Sequence, residues 1–270
     1  MARRYLESSA LHIRIREVSV RDRRILAGAA GPREEERLGQ FLPDRQFSVA
    51  VRHGKRIFLK LVQGGQKERL DGKRGGRQGE LWLTLHLGLT GRLLCLDQTE
   101  SEPRHTRLLI SFQGGSRLAF DDPRIFGEVG LTGSPQAFLK ERRIGPDALQ
   151  MDEETFKGIM SGRKGLIKPA LLNQSLVAGL GNLYADEALF QAGILPTARR
   201  LDEPQLSRLF ICIQEVLRAS LSVNSDLDKL PDSYLLPRRR PGDSCPRDGA
   251  LLKREKIGGR TSYFCPAHQR

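Results

Sequence analysis

"KPALLNQSLVAGLGNLYADEALFQAGILP", residues 168–196, is the stretch on which the reading of this chain turns. Apolar residues recur at helical spacing on both sides of "VAGLGN", so two helices meet at a short turn. Gly179 and Gly181 permit a sharp bend with bare backbone, and Asn182 is placed to cap the second helix. N–H groups exposed at such a helix start bind phosphate. An ordinary helical hairpin with a glycine turn explains the spacing equally well, so spacing alone leaves both readings open.

Downstream the helical period continues. Leu206, Leu209, Phe210, Ile213, Val216, Leu217 and Leu221 follow the i, i+3, i+4 rule and predict one long helix against a core. Upstream, from about residue 11 to 128, the period is two. Phe47, Val49 and Val51 alternate before "RHGK", and Ile57, Leu59 and Leu61 after it, which predicts a hairpin with Gly54 near its turn. Leu81, Leu83, Leu85 and Leu87 repeat the signal, and "RLLISF" with "SRLAF" forms a second hairpin across Gln113, Gly114 and Gly115. Ile13 and Ile15 give way to Val18 and Val20, a slip that a bulge at Glu17 explains. The Gly-rich, charged run "QGGQKERLDGKRGGRQG" is expected to be a mobile loop. The fold class is therefore α+β, a β-sandwich or barrel followed by a helical region.

With 270 residues the chain has room for two cores. Its 45 Lys and Arg against 32 Asp and Glu leave a formal charge of +13, and such a surface favours polyanions, nucleic acid before membrane. No apolar run approaches the roughly 18 residues of a membrane span, and no signal-peptide core precedes the first strand. A cytoplasmic, nucleoid-associated monomer is expected. Cys95 and Cys212 lie in apolar stretches and read as buried thiols, while Cys245 and Cys265 flank a basic tail, so a disulfide framework is not expected. Residues 238–270 hold nine Lys and Arg against three Asp and Glu.

The stretch 168–196 closely resembles the helix-two-turn-helix of the formamidopyrimidine-DNA glycosylase and endonuclease VIII family. "HLGLTGRL" at 86–93, "DDPRIFGEVGL" at 121–131 and "IGPDAL" at 144–149 match the same family in the right order. The resemblance implies a β-sandwich over 1–130, a linker over 131–147, a helix-two-turn-helix domain over 148–236 and a zinc-finger-like β-hairpin over 237–270. It also implies a DNA repair enzyme that flips oxidised bases out of the duplex, 8-oxoguanine and formamidopyrimidines foremost. By position, Leu89, Arg124 and Phe126 match residues that fill the void left by the flipped base, Leu89 standing where methionine is common. Ile125 stands where a basic residue is frequent, so one backbone contact is expected to be lost. Lys55, Asn182 and Arg260, with Arg124, match DNA-contacting residues. The partner implied is double-stranded DNA with damaged bases or abasic sites.

Two departures accompany the match. The family's finger carries two Cys-x2-Cys pairs, whereas here "CPRD" and "CPAH" offer Cys245, Asp248, Cys265 and His268 as candidate ligands of one zinc ion. One carboxylate in place of a thiolate is expected to weaken the site, and a metal-free hairpin is the alternative. The segment "DSYLLPRRRPGD" also reads differently, with "LPRRR" where the family has Tyr-Gly-Arg. Finally, by resemblance the nucleophile is an N-terminal proline followed by glutamate, acting through a Schiff base and β,δ-elimination. This sequence opens "MARRYLE", which matches the helix beyond that pair, so no catalytic residue is assigned within it. We expect a start recorded inside the helix. The alternatives are a damaged-DNA-binding protein without catalysis, an amine supplied by Lys55, or an RNA-binding or ribosome-associated basic protein.

Overall fold

Period-two alternation and helical spacing separate cleanly along the chain, and the computed structural model follows that division. It describes residues 2–27, 31–64, 80–240 and 242–270. The run expected to be a mobile loop lies almost entirely outside the described residues. Two compact units result, residues 1–142 and 143–270.

The first unit opens with helix α1 (Ala2–Ser9), whose Leu6 is fully buried, so the opening residues do form the predicted helix. Then come β1 (Ile15–Val20), α2 (Gly31–Phe41), β2 (Arg45–His53), β3 (Arg56–Gln63), β4 (Leu81–His86) and β5 (Arg92–Leu96). β6 (Thr106–Phe112), β7 (Arg117–Asp121), β8 (Glu128–Thr132) and α3 (Pro135–Glu141) complete it. Two antiparallel four-stranded sheets form, in the orders β1-β6-β7-β5 and β2-β3-β4-β8. Ile15, Ile110, Phe112, Leu118 and Phe120 from one share a single apolar core with Phe47, Leu59, Leu61, Leu83 and Leu85 from the other.

Bulges in β1 and β2 set which side chains reach that core, and a further register shift falls between Thr106 and Leu108 of β6. The slip expected at Glu17 lies between Ile15 and Glu17, where Arg16 has no partner on β6. A second, which the alternation did not foresee, falls between Phe47 and Val49. Because a one-residue shift exchanges the faces of a strand, Ala50 turns inward and Val51, predicted to be buried, is exposed.

The second unit contains α4 (Glu153–Met160), α5 (Ile167–Leu172), α6 (Asn182–Ala192), α7 (Glu203–Ser222) and the antiparallel hairpin β9 (Lys253–Ile257) and β10 (Arg260–Phe264). α7 is the long helix read from the spacing, and Asp202 with Gln205 closes a capping box at its start. Leu206, Leu209, Ile213 and Leu217 from α7 pack with Leu171 of α5 and Ala185, Ala188 and Leu189 of α6. Among the described residues no helix is long and apolar enough to cross a membrane.

Candidate nucleic-acid interface

In the first unit, the chain beyond β4 and the chain beyond β7 form two loops held against each other. Gly88 adopts φ 64°, and a Cβ there would come within 2.6 Å of the Phe126 carbonyl carbon, so only glycine allows the approach. Thr90 Oγ1 donates to Asp122 Oδ1 at 2.8 Å, and the Gly127 N–H donates to Asp122 Oδ2 at 2.7 Å. One buried carboxylate thereby ties both loops. Burial pushes Asp122 up, but bonds from Thr90 and the N–H groups of Gly127, Arg124 and Phe126 outweigh it and hold it below the usual carboxylate range. His86 Nδ1 accepts the Gly88 N–H at 3.0 Å. Burial, aided by the charges of Arg56 and Lys55, holds this imidazole below its ordinary value and so in the neutral form that can accept.

On that frame stand the three predicted void-filling residues. Leu89 is 72% exposed and Phe126 52%, both large apolar side chains in water. Arg124 lies over the Phe126 ring at 4.7 Å, a cation stacked on an aromatic face. Between them Ile125 has φ 56°, an unfavourable conformation for a β-branched residue. Its side chain packs against the sandwich core, while its two neighbours face outward. At this position, where a basic residue is expected from the resemblance, the side chain serves the core. Lys55 is exposed within the β2–β3 turn, and the next residue, Arg56, pairs with His86 across the sheet.

In the second unit, the capping role expected of Asn182 is not what the helix shows. Gly181 is the N-cap, with no side-chain capping bond, and Asn182 occupies the first helical position. Its amide turns away from its own helix, and Nδ2 donates to the Thr261 carbonyl at 2.9 Å. The neighbouring Arg260 is exposed at the start of β10, after a turn in which Gly258 and Gly259 both have positive φ. Asn182 and Arg260, 78 positions apart in the sequence, are thereby brought together at one carbonyl.

Three of the four candidate metal ligands converge. The donor atoms of Cys245, Asp248 and Cys265 lie within 4.8 Å of one another. Backbone N–H groups of Arg247 and His268 approach the Cys245 and Cys265 sulfurs at 3.4 and 3.3 Å, which favours thiolates. Burial pushes the Cys245 thiol up to about 11. His268 does not join the three. Its Nε2 lies 2.8 Å from the Phe190 carbonyl, and its ring packs on Phe190. A bond from Nε2 to a carbonyl leaves Nδ1 as the lone-pair nitrogen, the arrangement that orients metal-binding histidines. Two thiols, a carboxylate and a nearby imidazole suit a tetrahedral divalent ion.

One feature of this unit escaped the sequence reading. Lys168 and Asp186 are completely buried and paired at 2.5 Å, and Glu187 is buried beside them. The available signal was "ADEALF", two acids in a helix that has almost no exposed face.

Known proteins share this arrangement. The family model described as the formamidopyrimidine-DNA glycosylase N-terminal domain matches residues 1–129, and that of the H2TH domain matches residues 144–230. A formamidopyrimidine-DNA glycosylase of Acaryochloris marina is 34% identical over 89% of this chain and 87% of its own length. One from Syntrophomonas wolfei is 32% identical over 94% and 92%. The Lactococcus lactis enzyme bound to DNA with an abasic site superposes with a TM-score of 0.83 at 26% identity, over 99% of this chain and 96% of that one. The same enzyme bound to DNA containing FAPY-dG also gives 0.83, at 25% identity over 100% and 97%.

Proposed function

This chain belongs to the formamidopyrimidine-DNA glycosylase family, and on that premise we propose that it recognises damaged bases and abasic sites in duplex DNA and acts there as a glycosylase and abasic-site lyase. The observation that carries the reading is the paired loop of the first unit, which presents a leucine, a phenylalanine and an arginine to solvent from a rigid frame. Apolar wedges with a planar cation are what an emptied base stack requires, because the unstacked neighbours regain apolar contact and the orphaned base gains a hydrogen-bond donor. Leu89, Arg124 and Phe126 take those parts. Lys55 and Arg260 neutralise phosphates, Asn182 hydrogen-bonds one, and together they fix the register of the duplex. In this reading residues 1–130 carry the flipping loops, 131–147 connect, 148–236 hold the helix-two-turn-helix and 237–270 the finger.

In the related enzymes, as the resemblance implies, a proline amine attacks the sugar C1′, the base leaves, and the resulting iminium decays by β,δ-elimination. Borohydride reduces that iminium to a stable adduct. A chain with Pro-Glu-Leu-Pro-Glu-Val-Glu placed ahead of Ala2 is expected to trap covalently on an abasic duplex and on an 8-oxoguanine duplex. Failure of that chain to trap on either would remove the lyase assignment. A competition assay at fixed salt tests the RNA-binding alternative, which requires no preference for lesion-bearing duplex.

Cys245, Asp248 and Cys265, with His268 through Nδ1 once it draws nearer, would hold one zinc ion that pins the finger hairpin. Metal analysis is expected to find about one zinc per chain. Asp248→Ala and His268→Ala are each expected to lower occupancy under mild chelation, and full retention in both would show the ligand set to be different.

A further inference from the structure

The run "LLPRR", residues 235–239, is where the family resemblance fails, and the structure holds it from two adjacent acids of α6. The Glu187 carboxylate accepts the Leu235 N–H at 3.1 Å and the Leu236 N–H at 2.7 Å, one on each oxygen. This fixes the start of a 3-10 turn, Leu236–Arg238. The turn delivers Arg239 to the preceding acid, where Nε and Nη2 lie 3.1 and 2.7 Å from Asp186 Oδ2. The guanidinium also lies 4.8 Å over the Tyr263 ring, and Lys168 occupies the other oxygen of Asp186.

Three side chains then meet at one acceptor. The Thr261 carbonyl takes Lys168 Nζ at 3.2 Å, Arg239 Nη2 at 3.1 Å and Asn182 Nδ2 at 2.9 Å. A carbonyl oxygen has two lone pairs, so three donors from three parts of the unit compete for one atom and lock its position. That atom belongs to the residue after Arg260. Asn182 hangs directly on it.

We propose that Arg239 is a positioning residue for DNA binding: through the Thr261 carbonyl it sets where Asn182 and Arg260 stand, without touching phosphate itself. The inference rests on the reading of Asn182 and Arg260 as phosphate contacts. A planar fork is needed for this task, since one guanidinium must reach Asp186 and Thr261 while stacking on Tyr263. Lysine offers the charge without that geometry.

The test is a double-mutant cycle read by fluorescence anisotropy on a duplex with an abasic-site analogue, over a salt series, with thermal melting of each variant. Arg260→Ala is expected to weaken binding about tenfold and to reduce the salt slope by about one phosphate. Arg239→Met, in the presence of Arg260, is expected to weaken binding about five- to tenfold with a similar loss of slope. In the Arg260→Ala background it should change affinity by less than about twofold, because coupled residues do not add. Arg239→Lys should remain impaired. Restoration of affinity by Arg239→Lys, or full additivity of Arg239→Met with Arg260→Ala, makes Arg239 an independent phosphate contact and overturns the proposal. Parent-like binding by Arg239→Met overturns it as well. If Arg260→Ala and Asn182→Ala both bind as the parent does, the underlying DNA site is wrong, a result distinguishable from failure at Arg239 alone. Should Arg239→Met melt below the assay temperature, the Arg239→Lys arm decides.

Discussion

Asp186→Ala is expected to destabilise the second unit by about 3–5 kcal/mol, the cost of breaking a buried ion pair from one side. The substitution leaves the Lys168 ammonium fully enclosed beside the Ser262 hydroxyl and the Thr261 carbonyl, and it takes from Arg239 the carboxylate it pairs with. It also removes the acceptor of the Tyr263 N–H. Replacing both Asp186 and Lys168 with apolar residues of similar volume is expected to cost less, since the fully buried ammonium is then gone and only Arg239, which keeps some exposure to water, is left without this carboxylate. Burial already lowers the Lys168 pKa, and loss of its counter-charge lowers it further. The sign follows directly. An amine that releases its proton more easily when folded leaves the unfolded state with more protons bound, so stability of the Ala variant rises as pH climbs toward the ordinary lysine value of about 10.4. Denaturant melts at neutral and alkaline pH check this, and a loss under about 1 kcal/mol at pH 7 would contradict it.

Asp122→Ala is the second substitution with a large expected effect, and it strikes binding as well as stability. It strips an acceptor from the Thr90 hydroxyl and from the Gly127 and Arg124 N–H groups. Gly127 is buried, whereas Thr90 and Arg124 are exposed and can turn to water, so with an unpaired buried donor costing about 1–3 kcal/mol the first unit is expected to lose about 2–3 kcal/mol. Affinity for an abasic duplex is expected to fall more than tenfold, because Leu89 and Phe126 stand on loops that this carboxylate joins. Asp122→Asn isolates the charge. The folded-state pKa of Asp122 lies below its unfolded value, so its contribution is complete above about pH 4 and is lost as pH falls through the folded value. The Asn variant should therefore show a flatter acid-unfolding profile. An unchanged profile would mean that Asp122 does not govern that limb.

Much of the architecture was legible because burial in sheets and helices leaves a period in the sequence. β3 and β4 appear where Ile57, Leu59, Leu61 and Leu83, Leu85 alternate, and α7 appears where seven apolar residues share a face. What misled was a change of phase. The bulge at Ser48 has no compositional mark, so Val49 and Val51 read as core where Ala50 is. Asn182 misled for a different reason. Asparagine ahead of an apolar run is the ordinary mark of a cap, yet the donor it satisfies belongs to its own amide and the acceptor lies on β10, a distant strand that no local pattern announces. The buried acids of α6 follow the same logic, since apart from Gln191 one turn on, Asp186 and Glu187 answer to Lys168, Arg239 and the backbone near residue 235, all distant in sequence. Leu89, Arg124 and Phe126, assigned through the family resemblance, lie exposed on the loops that Gly88 and Gly127 help to hold. The resemblance offered nothing for Arg239, where the matching segment is different.

The two loops of the first unit divide their labour between frame and tip. Gly88, Thr90, Asp122, Gly127 and the inward-facing Ile125 carry the folding constraints, whereas Leu89 and Phe126 are the exposed tips. Substitutions at an exposed tip are usually within about 0.5 kcal/mol of neutral. Selection can therefore test new side chains at 89 and 126 one at a time, at almost no risk to the fold. What these loops present to solvent can thus change while the residues that hold them stay fixed, so that folding and recognition at this place are separable by substitution.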